Sequence, residues 1–235
     1  MNILHTPQSV RLAPAQRFVL HCVSWQEYEK FLEAIGENHV RVTYDRGSIE
    51  LMSPLPIHER YKHCFNQFFT ILALETGIPI TGMGSTTFRR EDEDRGIEPD
   101  ECYYLQSASQ VRDWKTLDLA VDPPPDLAIE IDITSSVLNR MEVYAALRIP
   151  ELWRFDGEAL EVYHLGADGA YDSVAKSIAL PLLPLDKLVP LIERGASRSS
   201  DAAWLREIQS WLRANVPAQG PSNAPQSPLA SDPGA

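Results

Sequence analysis

The sequence predicts a mixed α/β domain, on the border of α+β, with a mixed sheet flanked by helices. Strand-like segments alternate with segments of helical periodicity, and some strand-like segments follow one another directly across turn signals such as Asp45-Arg46-Gly47. Neither GxGxxG nor GxxxxGK[ST] occurs, so a doubly wound nucleotide-binding fold is not supported.

The N-terminal part of the chain reads as a strand, a helix and a hairpin. Arg17–Ser24 is the strand. Ser24 and Glu27 form a capping box for a helix over Trp25–Ile35. The hairpin pairs Val40–Tyr44 with Ser48–Met52.

The central and C-terminal segments continue the alternation of helices and strands. A long helix is predicted over His58–Thr76, and an acidic turn over 91–96 separates two strands. The predicted strands are Thr86–Arg90, Asp100–Leu105, Asp126–Ile133, Glu151–Phe155, Leu160–Leu165 and Tyr171–Ile178, and the predicted later helices are Val137–Arg148, Asp186–Arg194 and Asp201–Val216.

Composition divides the chain and excludes several classes of protein. We expect an N-terminal strand and helix over 1–39, a main domain over 40–195, a C-terminal helix over 196–216 and a disordered, proline-rich tail over 217–235. The chain has no run of about 18 apolar residues and no visible signal peptide. Its three scattered cysteines argue against a disulfide framework or a cysteine-rich zinc site, so a cytoplasmic location is the expectation.

The chain is acidic, with a formal net charge of −12 and a pI of about 4.9. Such a balance argues against a basic, sequence-blind nucleic-acid coat, because phosphate contacts need lysine and arginine. It is compatible with a local cluster of carboxylates that holds a divalent cation.

The most informative segment for chemistry is the apolar strand 126–133. Because side chains alternate along a strand, Glu130 and Asp132 share one face about 6.6 Å apart, from a rise of about 3.3 Å per residue. Two carboxylates on so apolar a strand are costly unless they are paired or bind a metal. The alternative is that Glu130 has only a structural role, as a buried salt-bridge partner of Arg140 or Arg154.

A third carboxylate, Asp100, follows a proline at the start of a predicted strand. On its own it reads most simply as a turn residue. If its hairpin packs beside Asp126–Ile133, it joins Glu130 and Asp132, and three oxygen ligands suit Mg²⁺ or Mn²⁺. Such an ion activates water and stabilises charge on a phosphate.

Pro99-Asp100 followed by Glu130-x-Asp132 resembles the PD-(D/E)XK nuclease superfamily. The wider pattern is similar to the Uma-two type of restriction-endonuclease-like proteins, and the stretches that carry it are YDRGSIELMSP (44–54), His58-Glu59, GSTTFRRED (84–92), GIEPDECYYL (96–105), PPPDLAIEIDITSS (123–136) and VYAALRIPELWRFDG (143–157). The resemblance implies a restriction-endonuclease-like fold, Mg²⁺ or Mn²⁺ as the cofactor, and Asp100, Glu130 and Asp132 as ligands.

One position departs from the superfamily pattern. Asp132 stands where a catalytic lysine is usual, and the nearest cation is Arg140 in the following helix. Arg140 can stabilise phosphate charge, but it cannot act as a general base because arginine keeps its proton. Second-tier candidates are Glu50 on the hairpin and His58 and Glu59 at the start of the long helix, although acidic residues are favoured there by the helix dipole alone.

The function that these residues imply is Mg²⁺-dependent hydrolysis of DNA by an endonuclease. A homodimer suits the cutting of both strands, and the apolar stripe of the last helix is packing or a dimer surface. Two alternatives stay open: a catalytically degenerate nuclease fold used as a binding module, and a metal-dependent hydrolase of a small phosphorylated substrate.

Overall fold

The computed structural model describes residues 16–36, 40–133 and 136–217. The predicted tail lies outside this range except for Pro217, as does the start of the predicted N-terminal segment. The strands are β1 (Gln16–His21), β2 (Arg41–Asp45), β3 (Ser48–Ser53), β4 (Thr81–Gly82), β5 (Phe88–Arg90), β6 (Arg95–Ile97), β7 (Glu101–Tyr104), β8 (Leu127–Ile131), β9 (Glu151–Phe155), β10 (Leu160–Leu165) and β11 (Tyr171–Val174). The α-helices are α1 (Trp25–Ile35), α2 (Pro56–Thr76), α3 (Arg140–Ala146), α4 (Leu188–Ser197) and α5 (Asp201–Asn215). In this described part, no helix combines the length and the apolar composition needed to cross a membrane.

The strands form two sheets, which confirms the mixed α/β class. The N-terminal sheet is antiparallel, in the order β1-β3-β2-β6-β5. The second sheet has the order β11-β10-β9-β8-β7-β4, with β8 and β9 as its parallel pair. The parallel connection runs through α3, as a crossover between parallel strands requires.

Strand β8 lies at the centre of the mixed sheet and is buried along its whole length. Leu127, Ile129 and Ile131 face the core that contains α2, whereas Ala128 faces the cluster formed by residues of α3. The predicted alternation of faces is therefore confirmed, and Glu130 belongs to the α3 side of the sheet.

The capping box and helix boundaries follow local sequence signals closely. The Ser24 side chain accepts from the Glu27 N–H while the Glu27 carboxylate accepts from the Ser24 N–H, as predicted. Helix α2 starts at a proline, which needs no hydrogen-bond acceptor in a first turn, and ends at Gly77 with φ 73°.

Helix α5 packs on α2 through an ion pair of 2.6 Å between Arg213 Nε and Glu75 Oε2. Trp204, Ile208 and Leu212 are buried in the main core. The apolar stripe of this helix therefore serves internal packing, the first of its two predicted roles, because it lies against α2 and α4 of the same chain.

The structure corrects the middle of the predicted order. β5 pairs with β6, which was predicted as part of a turn. The strand beside β7 is therefore not β5 but the short strand β4. The chain changes sheets at Glu98-Pro99, where the proline has no N–H for a sheet hydrogen bond. Helix α3 begins at Arg140, later than the predicted Val137.

Candidate active site

The site begins where β7 and β8 pair. The Asp100 N–H donates to the Ile129 carbonyl at 3.1 Å, and Asp100 Oδ2 accepts from the Ile131 N–H at 2.8 Å. Asp100 is only 1% exposed. The predicted packing of its strand against β8 is therefore observed, and it brings the Asp100 carboxylate next to the end of β8.

Glu130 is buried, with 7% exposure, and both hydrogen bonds that it accepts from described residues go to the same oxygen. Oε1 accepts from Arg140 at 2.5 Å and from the Tyr144 hydroxyl. Burial raises the pKa of Glu130 to about 7, and the Arg140 charge opposes that rise. Of the two arginines considered as salt-bridge partners of Glu130, the structure shows Arg140.

Arg140 reaches back from α3 to Glu130 of β8. Besides Glu130, its guanidinium donates to Thr43 Oγ1 at 3.1 Å and to the Glu98 carbonyl at 3.2 Å. A single side chain thus links α3 to both sheets and to the segment where the chain passes between them.

Asp132 lies just beyond β8 and has its own arginine. Its Oδ2 accepts from Arg154 at 2.6 Å, and its N–H donates to the Phe155 carbonyl at 2.8 Å. Asp132, Glu130, Arg140 and Arg154 all line one cavity of about 200 Å³. The predicted pair of carboxylates therefore does open on one side of the strand, with an arginine beside each member.

His58 ties the start of α2 to Asp100. Its Nε2 lies 3.1 Å from Asp100 Oδ2 and its Nδ1 lies 3.5 Å from Glu59 Oε1, without well-aligned hydrogen bonds, so the interaction is chiefly electrostatic. Burial lowers the pKa of His58, but the two carboxylates outweigh burial and raise it to about 9. His58 in turn holds the pKa of Asp100 below its usual value, against the effect of burial.

The other two second-tier candidates, Glu59 and Glu50, lie in different parts of the structure. Glu59 is half-exposed and contacts His58 and Arg41, whose Nη2 lies 3.7 Å from Glu59 Oε1. Glu50 is buried on the N-terminal sheet, where it accepts from Arg17, from the Ser136 hydroxyl and from the Val137 N–H, at 2.8–2.9 Å. Glu50 therefore anchors the segment between β8 and α3 rather than lining the cavity.

Two residues of this site were missed from the sequence, and a third pairs with a different carboxylate from the one expected. Arg41 Nε lies 3.6 Å from Asp100 Oδ1 and Tyr144 binds Glu130, whereas Arg154, which was considered as a partner of Glu130, binds Asp132. The spacing of Arg140 and Tyr144 by four positions on a helix was a usable signal for Tyr144. Arg41 gave no such signal, because its contact depends on how the two sheets pack.

The donor atoms suit a hard divalent cation, but they are not preassembled. Asp100 Oδ1 is buried without a hydrogen bond, and Glu130 Oε2 accepts none from the described residues. Carboxylate oxygens of this kind are what Mg²⁺ and Mn²⁺ prefer. Within the described ranges, however, no group of three or more His, Cys, Asp or Glu side chains is arranged to hold a metal ion. Arg140 supplies the positive charge beside Glu130 in this conformation.

Comparisons with known proteins agree with the motif pattern. No protein of curated function matches the sequence. One similar solved structure is a putative nuclease belonging to DUF820 from Anabaena variabilis, with 16% sequence identity and a TM-score of 0.48; the match covers 72% of this chain and 97% of that one. A sequence model of the Uma2 family, described as "putative restriction endonuclease", matches residues 25–197. The chain therefore belongs to the Uma2 family.

Proposed function

We propose that this protein is a Mg²⁺- or Mn²⁺-dependent endonuclease that hydrolyses phosphodiester bonds of DNA. The observation that carries the proposal is the cavity at the end of β8, which Glu130 and Asp132 line together with Arg140 and Arg154. Two carboxylates and two guanidiniums around one small space provide for a cation and for a phosphate. Membership of the Uma2 family supports the same class of activity.

The roles follow from the chemistry of the donors. Asp100, Glu130 and Asp132 would hold the cation, which when bound activates water and neutralises phosphate charge. Arg140 and Arg154 would bind non-bridging phosphate oxygens, for which a guanidinium is well suited. His58 and Tyr144 are positioning residues, because they contact the Asp100 and Glu130 carboxylates.

The size of the cavity favours a polymer substrate. Sites that enclose small molecules have volumes of roughly 300–1,000 Å³, and this cavity has about 200 Å³. It has room for one phosphodiester group, so the rest of the substrate would lie across its mouth. This favours a nucleic acid over a small phosphorylated metabolite.

A second candidate, a catalytically inactive binding module, is favoured by the two ion pairs. Arg140 lies 2.5 Å from Glu130, and Arg154 lies 2.6 Å from Asp132. Each carboxylate of the pair is thus already compensated, as in a purely structural network.

The deciding experiment measures metal binding and cleavage on the same proteins. Mg²⁺ and Mn²⁺ binding is followed by calorimetry, with and without a DNA duplex, and nicking of supercoiled plasmid is followed on gels. The variants are Glu130→Gln and Asp100→Asn, and the matched control is Glu158→Gln, which removes an exposed carboxylate from the β9–β10 turn.

We expect micromolar to millimolar metal binding and plasmid cleavage that both variants lose and the control keeps. Metal binding without cleavage of any DNA would refute the nuclease and direct attention to small phosphoesters. No metal uptake even with DNA present would favour the binding module. Circular dichroism of each variant separates loss of activity from loss of fold.

A further inference from the structure

A large groove, separate from the cavity of Glu130 and Asp132, lies between helix α1, the segment 87–92 and the loop 116–120. Its volume is about 1230 Å³. Its accessible apolar lining comes from the partly exposed side chains of Leu32, Leu117 and Leu119, whereas Trp25 and Phe88 lie behind them in the core. The groove is therefore large enough for several residues of a peptide and has apolar surface to receive them.

The rim of this groove is strongly acidic. Five carboxylates and two guanidiniums line it; the carboxylates are those of Glu29, Glu33, Glu91, Asp92 and Asp118. Arg89 lies 3.5 Å from Glu29, and Arg90 lies 2.5 Å from Asp92, so both cations are already neutralised. Excess negative charge would repel a phosphate backbone, so Arg89 and Arg90 do not make this a nucleic-acid groove.

Strand β5 adds an open sheet edge to the groove. It is the last strand of the N-terminal sheet and, among the described residues, pairs only with β6. On such an edge, alternate backbone N–H and C=O groups point away from the sheet. An extended peptide can pair with these groups, and pockets for alternate side chains then provide specificity.

We propose that the groove between α1 and β5 binds an extended, positively charged peptide segment of a partner protein. In an extended strand, alternate side chains point to opposite sides. On β5 itself, Arg89 contacts Glu29 of α1, whereas Phe88 belongs to the cluster against which Leu117 and Leu119 pack. Lysine or arginine side chains that point toward α1 would meet the Glu33 carboxylate, which makes no ion pair within the described residues. Aliphatic side chains on the other side would pack against Leu117 and Leu119.

The test uses the full chain and a fluorescein-labelled peptide of alternating lysine and valine, about nine residues long. Fluorescence anisotropy measures its binding at low and high salt. A peptide with glutamate in place of lysine tests the charge requirement, and a version with N-methylated backbone amides tests pairing with β5. Glu33→Lys reverses an exposed rim charge, and Glu158→Lys is the matched control in the β9–β10 turn.

We expect saturable binding of the lysine peptide that weakens with salt, and about twofold to fivefold weaker binding by Glu33→Lys, the size expected for one exposed charge pair. The control should bind as the wild type does. Absence of binding, equal binding of the glutamate peptide, or equal loss in Glu158→Lys would overturn the proposal. Self-association of the chain that Glu33→Lys abolishes, without peptide binding, would assign the groove to a second copy instead and overturn it as well.

Discussion

Replacing Arg140 with methionine tests the electrostatic core of the site. The Arg140 side chain is 13% exposed, and its guanidinium bonds Glu130, Thr43 and the Glu98 carbonyl. Methionine keeps much of the aliphatic volume but leaves the Glu130 carboxylate without its cation. Removing one member of a buried ion pair costs about 3–5 kcal/mol of unfolding free energy.

The cost should depend on pH, with a sign set by Glu130. Its pKa in the folded protein, about 7, is already above the ordinary value of 4.5, and loss of the arginine raises it further. A carboxyl group with a raised pKa stabilises the fold below its unfolded pKa, and this contribution is lost as pH rises through the folded value. The deficit of Arg140→Met should therefore be small at pH 5 and largest near pH 8.

The assay is urea and thermal unfolding of the wild type, Arg140→Met, Glu130→Gln and the double variant. At neutral pH a deficit of about 3 kcal/mol lowers the melting temperature by about 6–12 °C, at about 2–4 °C per kcal/mol for a chain of this size. The double variant should lose less than the sum of the singles, by about 1–3 kcal/mol, because the two residues are in contact. A deficit that is the same at pH 5 and pH 8 would refute the reasoning, since only the bonds to Thr43 and Glu98 would then matter.

Three further predictions concern stability. Gly195→Ala should destabilise the chain by about 1–3 kcal/mol in urea unfolding, because the added Cβ would lie 2.4 Å from the Trp204 indole, although alanine in an open helix would stabilise it; an unchanged or raised midpoint would contradict this close approach. His58→Gln should abolish a loss of stability, on the order of 3 kcal/mol, that the wild type shows as pH rises from 6.5 through about 9, and a wild-type curve that is flat over this window would count against the ion pairs of His58. Asp126→Ala should cost about 2 kcal/mol in thermal unfolding, because Oδ2 accepts the backbone N–H groups of residues 105–107; a change below about 0.5 kcal/mol would mean that water satisfies those groups.

The sequence predicted helix boundaries and strand faces well where they depend only on neighbouring residues. The capping box at Ser24 and the turn at Gly77 determine helix boundaries through neighbouring residues alone. The alternation of Leu127, Ile129 and Ile131 against Glu130 also needs only the strand's own pleat.

The choice of sheet could not be read in the same way. The strand predicted over Thr86–Arg90 is present as β5, Phe88–Arg90, but its partner is β6 in the N-terminal sheet. Any short strand has several partners that satisfy its backbone equally well, and the decision rests on long-range packing. The contact of Arg41 with Asp100 was missed for the same reason, because it joins the two sheets.

Asp132 stands where the nuclease superfamily that the motif resembles usually has a lysine, and its neighbours give this difference a physical meaning. A second carboxylate beyond Glu130 would by itself add negative charge where a phosphate has to approach. Arg154 lies on β9, directly beside Glu130 of β8 in the parallel register. Its guanidinium binds Asp132 and compensates the negative charge of that carboxylate. The cavity thus retains a cation at this position, but one that holds its proton at every working pH. If the protein is a nuclease, this position contributes phosphate binding rather than proton transfer, so Arg154→Lys should keep part of the activity while Arg154→Met with an intact Asp132 should lose it.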